Sequence, residues 1–125
     1  MLPFHVNLKT GSPVSEQIVY AVKKAIISGL MRAGDKFPSV RTLSQELRIN
    51  PNTAHRVIAS LVAEGLLEVQ PGVGTIVGTI RRATRQQRSE LLGENIEQLV
   101  VEAKKYRLEL DDVVRAVGQH WNKLS

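Results

Sequence analysis

The chain has 125 residues, 42% apolar and only 4% aromatic, so it can hold one small domain, or one plus an accessory element, around an aliphatic core. It has no cysteine, which excludes disulfides, thiolate nucleophiles and cysteine-based zinc sites, and its net charge of +5 favours a polyanionic partner without establishing one. The opening Met-Leu-Pro-Phe-His-Val-Asn has neither a basic nor an apolar leader segment, and no apolar run approaches the ~20 residues that span a bilayer, so a soluble cytoplasmic protein with no membrane partner is expected.

Residues 1–11 read as an extended arm. Ser12 and Pro13 open a first helix, with Ser12 as its cap and Val14, Ile18, Ala21, Val22, Ala25 and Ile26 on one apolar stripe; Ser28-Gly29 closes it. The run Gly34-Asp35-Lys36-Phe37-Pro38 reads as a turn. Ser39 caps a second helix that turns Val40, Leu43 and Leu47 inward. After Arg48-Ile49, Asn50 caps a third helix with Pro51 at its first position and a buried stripe of Ala54, Val57, Ile58, Leu61 and Val62, which Gly65 stops. Leu66–Gln70 and Thr75–Thr79 read as two short strands around Pro71-Gly72-Val73-Gly74. Four arginines follow, at 81, 82, 85 and 88. Leu92, Ile96, Leu99, Val100 and Ala103 then mark a fourth helix, and Leu110, Val113, Val114, Val117, Trp121 and Leu124 a fifth, the two joined closely enough for an antiparallel hairpin. The expected fold is mainly α with a small β-hairpin: a winged helix-turn-helix domain over residues 1–79 and a helical tail over residues 80–125.

The chemistry concentrates between residues 37 and 79. With Ala54, Val57, Ile58 and Leu61 facing inward, 100° per residue places Asn52 and Arg56 on the opposite face of the third helix, with Thr53 and His55 on its flanks. Asn pairs bidentately with adenine, Arg with guanine or phosphate, and Thr offers a hydroxyl or a methyl, so this polar front suits the major groove. Ser39 and Arg41 at the start of the second helix suit a phosphate. Gly72-Val73-Gly74-Thr75 is not a nucleotide-binding loop, because a β-like segment follows the glycines where a helix is required; it fits a wing tip whose small residues approach the sugar–phosphate edge. Candidate DNA contacts are therefore Ser39, Arg41, Asn50, Asn52, Thr53, His55, Arg56, Gly72, Gly74 and Thr75. The arginines at 81, 82, 85 and 88 read either as phosphate contacts or as a solvated helix face, and the second reading is the commoner one. His5, His55 and His120 have no ligand spacing, so no metal or other cofactor is expected, and no catalytic constellation stands out.

These motifs resemble the GntR family of bacterial transcription regulators. The resemblance rests on Pro38-Ser39-Val40-Arg41-Thr42-Leu43, Asn50-Pro51-Asn52-Thr53, Glu64-Gly65-Leu66-Leu67 and Gly72-Val73-Gly74-Thr75, and covers residues 11–78. With Asn-Pro-Asn-Thr and a tail of two helices, the chain looks most like the YtrA subgroup. That likeness implies a small winged-helix repressor that dimerises through its tail, often controlling transporter genes. It also implies that Ser39, Arg41, Asn52, Thr53, His55, Gly72 and Gly74 occupy DNA-contact positions. Val40 stands where many relatives carry Glu, and Pro51 where many outside the subgroup carry Arg, so operator sequences cannot be borrowed from them. About 45 residues follow the wing, too few for the effector domain of larger relatives.

The tail stripes cannot both be buried in one two-helix hairpin, so Leu92, Ile96, Leu99, Val100, Val113, Val114, Val117 and Trp121 are expected to pair with a second copy about a twofold axis. The function expected is a homodimeric, sequence-specific regulator of transcription, a repressor, bound to an inverted-repeat operator in double-stranded DNA. The alternative is a winged-helix module used for protein contacts or as a structural adaptor. A small-molecule effector between tail and winged domain would be an added feature.

Overall fold

A computed structural model describes all 125 residues. The elements are α1 (Val14–Ile27), α2 (Val40–Leu47), α3 (Pro51–Ala63), β1 (Leu67–Gln70), β2 (Gly74–Val77), α4 (Arg85–Ser89), a π-helical turn (Glu90–Asn95), α5 (Ile96–Lys105) and α6 (Leu110–Lys123). This is the mainly helical fold with one small hairpin that the sequence predicts. The chain divides into two compact units, Met1–Ile80 and Arg81–Ser125. No helix is long and apolar enough to cross a membrane.

In the first unit the expected stripes of α1 to α3 form the core. Ile18 and Val22 of α1, Leu43 of α2, and Ala54, Val57 and Leu61 of α3 are fully buried, while Val14 at the head of α1 stays exposed. Helices α1 and α2 both pack on α3, which is therefore held from two sides. The N-terminal segment is irregular, as an arm should be, but not free: Phe4 is 3% exposed and stacks on Phe37 with ring centroids 6.1 Å apart.

The helix ends explain the turns. Helices α1 and α3 finish in glycines of positive φ, Gly29 and Gly65, with the following Leu30 and Leu66 amides donating back to Ala25 and Leu61. Helix α2 ends without a glycine: Arg48 itself adopts the left-handed conformation, φ 53° and ψ 48°. One expected cap differs. Pro13, not Ser12, is the residue outside α1, and no side chain caps the helix; instead the Gln17 amide bonds the Lys9 and Ser12 carbonyls and accepts from the Lys9 amide. Proline has no N–H to satisfy and its own ψ of 135° is non-helical, so the first turn begins one residue later.

In the second unit α4, the π turn and α5 run as one continuous helix from Arg85 to Lys105, starting well before the stripe at Leu92 that marks it in the sequence. Thr84 opens it with a capping box to Gln87. Arg107, at φ 58°, closes α5, with the Leu108 amide bonded to Ala103. Glu109 and Asp112 form the box that starts α6. Beyond their turn α5 and α6 scarcely touch, so the hairpin is open. An apolar groove of about 600 Å³ separates them, walled by Leu99, Ala103, Leu108, Val113, Val117 and Trp121.

Candidate nucleic-acid interface

Helix α3 supplies the front of the site. Its buried back fixes its rotation, and Asn52, His55 and Arg56 are consequently exposed while Thr53 is half-covered. The Asn50 side-chain oxygen accepts the Asn52 amide at 2.8 Å, so Asn50 is first of all the cap. Its amide hydrogens remain for an outside acceptor. The Asn52 carboxamide has no partner in the protein, which leaves both its donor and its acceptor for a base edge.

Helix α2 presents its first turn beside this front. Ser39 caps it as expected, accepting the Thr42 amide at 3.1 Å. Its hydroxyl also pairs with Thr42 Oγ1 at 3.1 Å, and the two hydroxyls together keep one proton for an outside acceptor. Arg41 is exposed and makes no ion pair. The Ser39–Thr42 hydroxyl pair and Arg41 are therefore the donors available to a phosphate; Thr42 stands in the motif Pro38–Leu43, but its hydroxyl joins the site only through the turn that Ser39 caps.

The wing is β1 and β2, paired antiparallel from Leu67↔Val77 to Gln70↔Gly74. Gln70-Pro71-Gly72-Val73 has the arrangement of a type II turn, with proline second, glycine third at φ 79°, and the Val73 amide on the Gln70 carbonyl at 3.0 Å. Gly72 and Gly74 are exposed at the tip, as a backbone approach to DNA requires, and Thr75 is half-buried behind them. The strands, Leu67–Gln70 and Gly74–Val77, are each one residue shorter than the expected Leu66–Gln70 and Thr75–Thr79, although the Gly78 amide still donates to the Leu66 carbonyl at 2.9 Å, in register with the pairs before it. A Cβ on Gly78 would lie 2.9 Å from the Gly65 carbonyl oxygen, so glycine is required here for close approach.

The stretch Gly34–Phe37, expected to be only a turn, is also a partner of the wing. The Gly34 amide donates to Val77, the Val77 amide to Asp35 and the Phe37 amide to Thr75, each at 2.8 Å, and Lys36 lies across from Ile76. The segment entering α2 thereby flanks the free side of β2 and places the exposed Lys36 beside the wing. Arg81 and Arg82, by contrast with a solvated helix face, lie on irregular backbone before α4, and only Arg85 and Arg88 are helical.

The tail candidates are exposed in the single chain. Leu92, Ile96, Leu99, Val100, Val114 and Val117 all stand in solvent, Val113 is half-covered, and Trp121 is 75% exposed. Only Ala103 of the tail is buried.

Residues 14–77 match the family described as bacterial regulatory proteins, gntR family. The chain is 31% identical over 107 residues to the HTH-type transcriptional repressor YtrA of Bacillus subtilis (strain 168), across 85% of this chain and 82% of that protein. A GntR family transcriptional regulator from Listeria monocytogenes superposes with a TM-score of 0.68 at 26% identity, over 90% of this chain and 98% of the other. A transcriptional antiterminator from Listeria monocytogenes EGD-e shares the fold, with a TM-score of 0.84 at 20% identity over 97% of this chain and 91% of the other. The matched segment runs from α1 to the end of β2 and so takes in the whole helix-turn-helix and the wing, and on that ground the chain belongs to the gntR family of bacterial regulatory proteins, as a winged helix-turn-helix transcription regulator.

Proposed function

We propose that the protein is a homodimeric repressor that reads an inverted-repeat operator. Helix α3 enters the major groove, where Asn52, Arg56, Thr53 and His55 meet base edges. Arg41, with Ser39 and Thr42, holds a phosphate, while the wing tip at Gly72, Gly74 and Thr75 follows the backbone. The observation that carries this reading is the front of α3: a helix clamped by two others, with an unpartnered carboxamide and guanidinium projecting from its first two turns. The name of the Bacillus relative supports repression.

Dimerisation is read from the tail. A continuous set of aliphatic side chains and a tryptophan lies in solvent on two helices that leave a groove between them. Isolated chains seldom leave such a patch uncovered. The same surface on a second copy would fill it about a twofold axis, and the two α3 helices would then meet half-sites one helical turn or a multiple apart.

Selection of bound duplexes from a random pool tests the reading. A palindromic consensus is expected. Asn52→Ala should weaken binding to that consensus by roughly 10- to 100-fold per half-site, the worth of a bidentate base contact, and relax preference at one position of each half-site. Absence of any enriched sequence would overturn it.

A further inference from the structure

Between Glu68 and Glu90 the only ionisable side chains are Arg81, Arg82, Arg85 and Arg88. All four are exposed, and none has a carboxylate within ion-pair distance. Their surroundings are already satisfied without them. Thr84 and Gln87 close the capping box of α4, and Glu90, the first acid downstream, takes a hydrogen bond from Gln86 at 3.2 Å. Arg115, elsewhere in the same unit, is paired with Asp111. Four like charges within eight residues repel one another, a cost that a bound polyanion removes.

Their place in the chain selects the polyanion. Arg81 is four residues past Val77, the last residue of the wing, so full extension allows at most about 14 Å between them, the rise of about four base pairs. Arg81 and Arg82 are free of helical constraint, and Arg85 and Arg88 share a helix face three residues apart. Guanidinium forks bind phosphate oxygens bidentately, and the neighbouring Thr79, Thr84 and Ser89 are small and polar, of the kind found against a sugar–phosphate edge.

We propose that Arg81, Arg82, Arg85 and Arg88 form a second, sequence-independent phosphate site that grips duplex DNA flanking the base-read half-site. The proposal rests on the DNA-binding reading above. It adds contacts beyond the helix-turn-helix and the wing, and it predicts that flanking DNA of any sequence strengthens binding.

The test uses the full chain and the duplex selected from the random pool, with and without flanks of about five base pairs, titrated by fluorescence anisotropy between about 50 and 200 mM salt. Arg81→Gln/Arg82→Gln and Arg85→Gln/Arg88→Gln are compared with the corresponding Lys pairs. Each Gln pair should reduce the slope of log K against log salt by up to about 1.8 per protomer. Over that salt range this narrows the gap between wild type and variant about tenfold per protomer. The Lys pairs should keep the slope, the base preference should not change, and trimming the flanks should weaken the wild type more than either Gln variant, which keeps two of the four arginines. An unchanged slope in both Gln pairs, with wild type still selecting its operator, overturns the proposal and leaves the DNA-binding reading standing. A Gln pair that alters sedimentation but not the slope assigns the arginines to a protein contact and overturns it as well. A wild type that enriches no sequence removes the reading and the proposal together.

Discussion

Gly78→Ala is the substitution whose sign the structure decides. Replacing glycine by alanine ordinarily stabilises by about 0.4–1 kcal/mol, because the unfolded chain has fewer states to lose. Gly78 lies outside the positive-φ region, so that gain is available here. Against it stands the Gly65 carbonyl oxygen, 2.9 Å from the new methyl, with the Leu66 carbonyl oxygen at 3.6 Å. Both are backbone atoms at the end of α3 and neither can rotate away. The methyl must push β2 from β1's entry by several tenths of an ångström and stretch the 2.9 Å bond from the Gly78 amide to Leu66. Overpacking of this kind costs about 1–3 kcal/mol, which leaves a net loss of about 1–2 kcal/mol. For a unit of 80 residues that corresponds to a fall in Tm of roughly 4–16 °C. Thermal unfolding followed by far-ultraviolet circular dichroism measures it. A Tm equal to or above that of the wild type would refute the claim that the end of the wing is held by backbone contact at this glycine.

Three further outcomes follow from local geometry. Arg48→Gly should raise Tm by a few degrees, because a non-glycine in the left-handed region costs about 1–2 kcal/mol and glycine returns only part of that as chain entropy; a lower Tm would show that the Arg48 side chain holds the turn. Asn50→Ala should cost about 1 kcal/mol and Asn50→Ser much less, since serine also accepts the amide that Asn50 now holds; equal losses in chemical denaturation would show that the carboxamide does something other than cap α3. Leu99→Asp or Val114→Asp should bury a carboxylate without a partner if the tail dimerises, at a cost of about 3 kcal/mol or more and a rise of roughly a hundredfold in dimer Kd; sedimentation at unchanged dimer weight would exclude these faces from the contact.

What could be read from residues alone was local. Ser39 and Asn50 announce caps because the bond they make closes within three residues, and Pro71-Gly72 announces its turn for the same reason. The apolar stripes of α1 to α3 repeat at helical spacing, and that spacing alone puts Asn52 and Arg56 on the outside. What could not be read was non-local. Gly34–Phe37 has no alternation to mark it as a strand, and its partners lie some 40 residues away in β2. Gly78 needs its hydrogen-sized side chain only because the end of α3 comes back against it. The early start of the tail helix is an intermediate case. Thr84-x-x-Gln87 is a visible capping box, yet no apolar periodicity follows it until Leu92, and the π turn that intervenes shifts the phase of whatever periodicity there is.

Strand β2 has a consequence for anyone rebuilding this regulator. Hydrogen-bonded to β1 on one edge and to the lead-in of α2 on the other, it is a shared chassis rather than the outer limb of a detachable flap. The wing tip and the mouth of α2 are therefore held in one backbone hydrogen-bonded unit, which in the proposed complex leaves little freedom to lose on docking. A hairpin grafted from a relative would carry half of its fixings; the other half, Gly34 to Phe37, would have to travel with it.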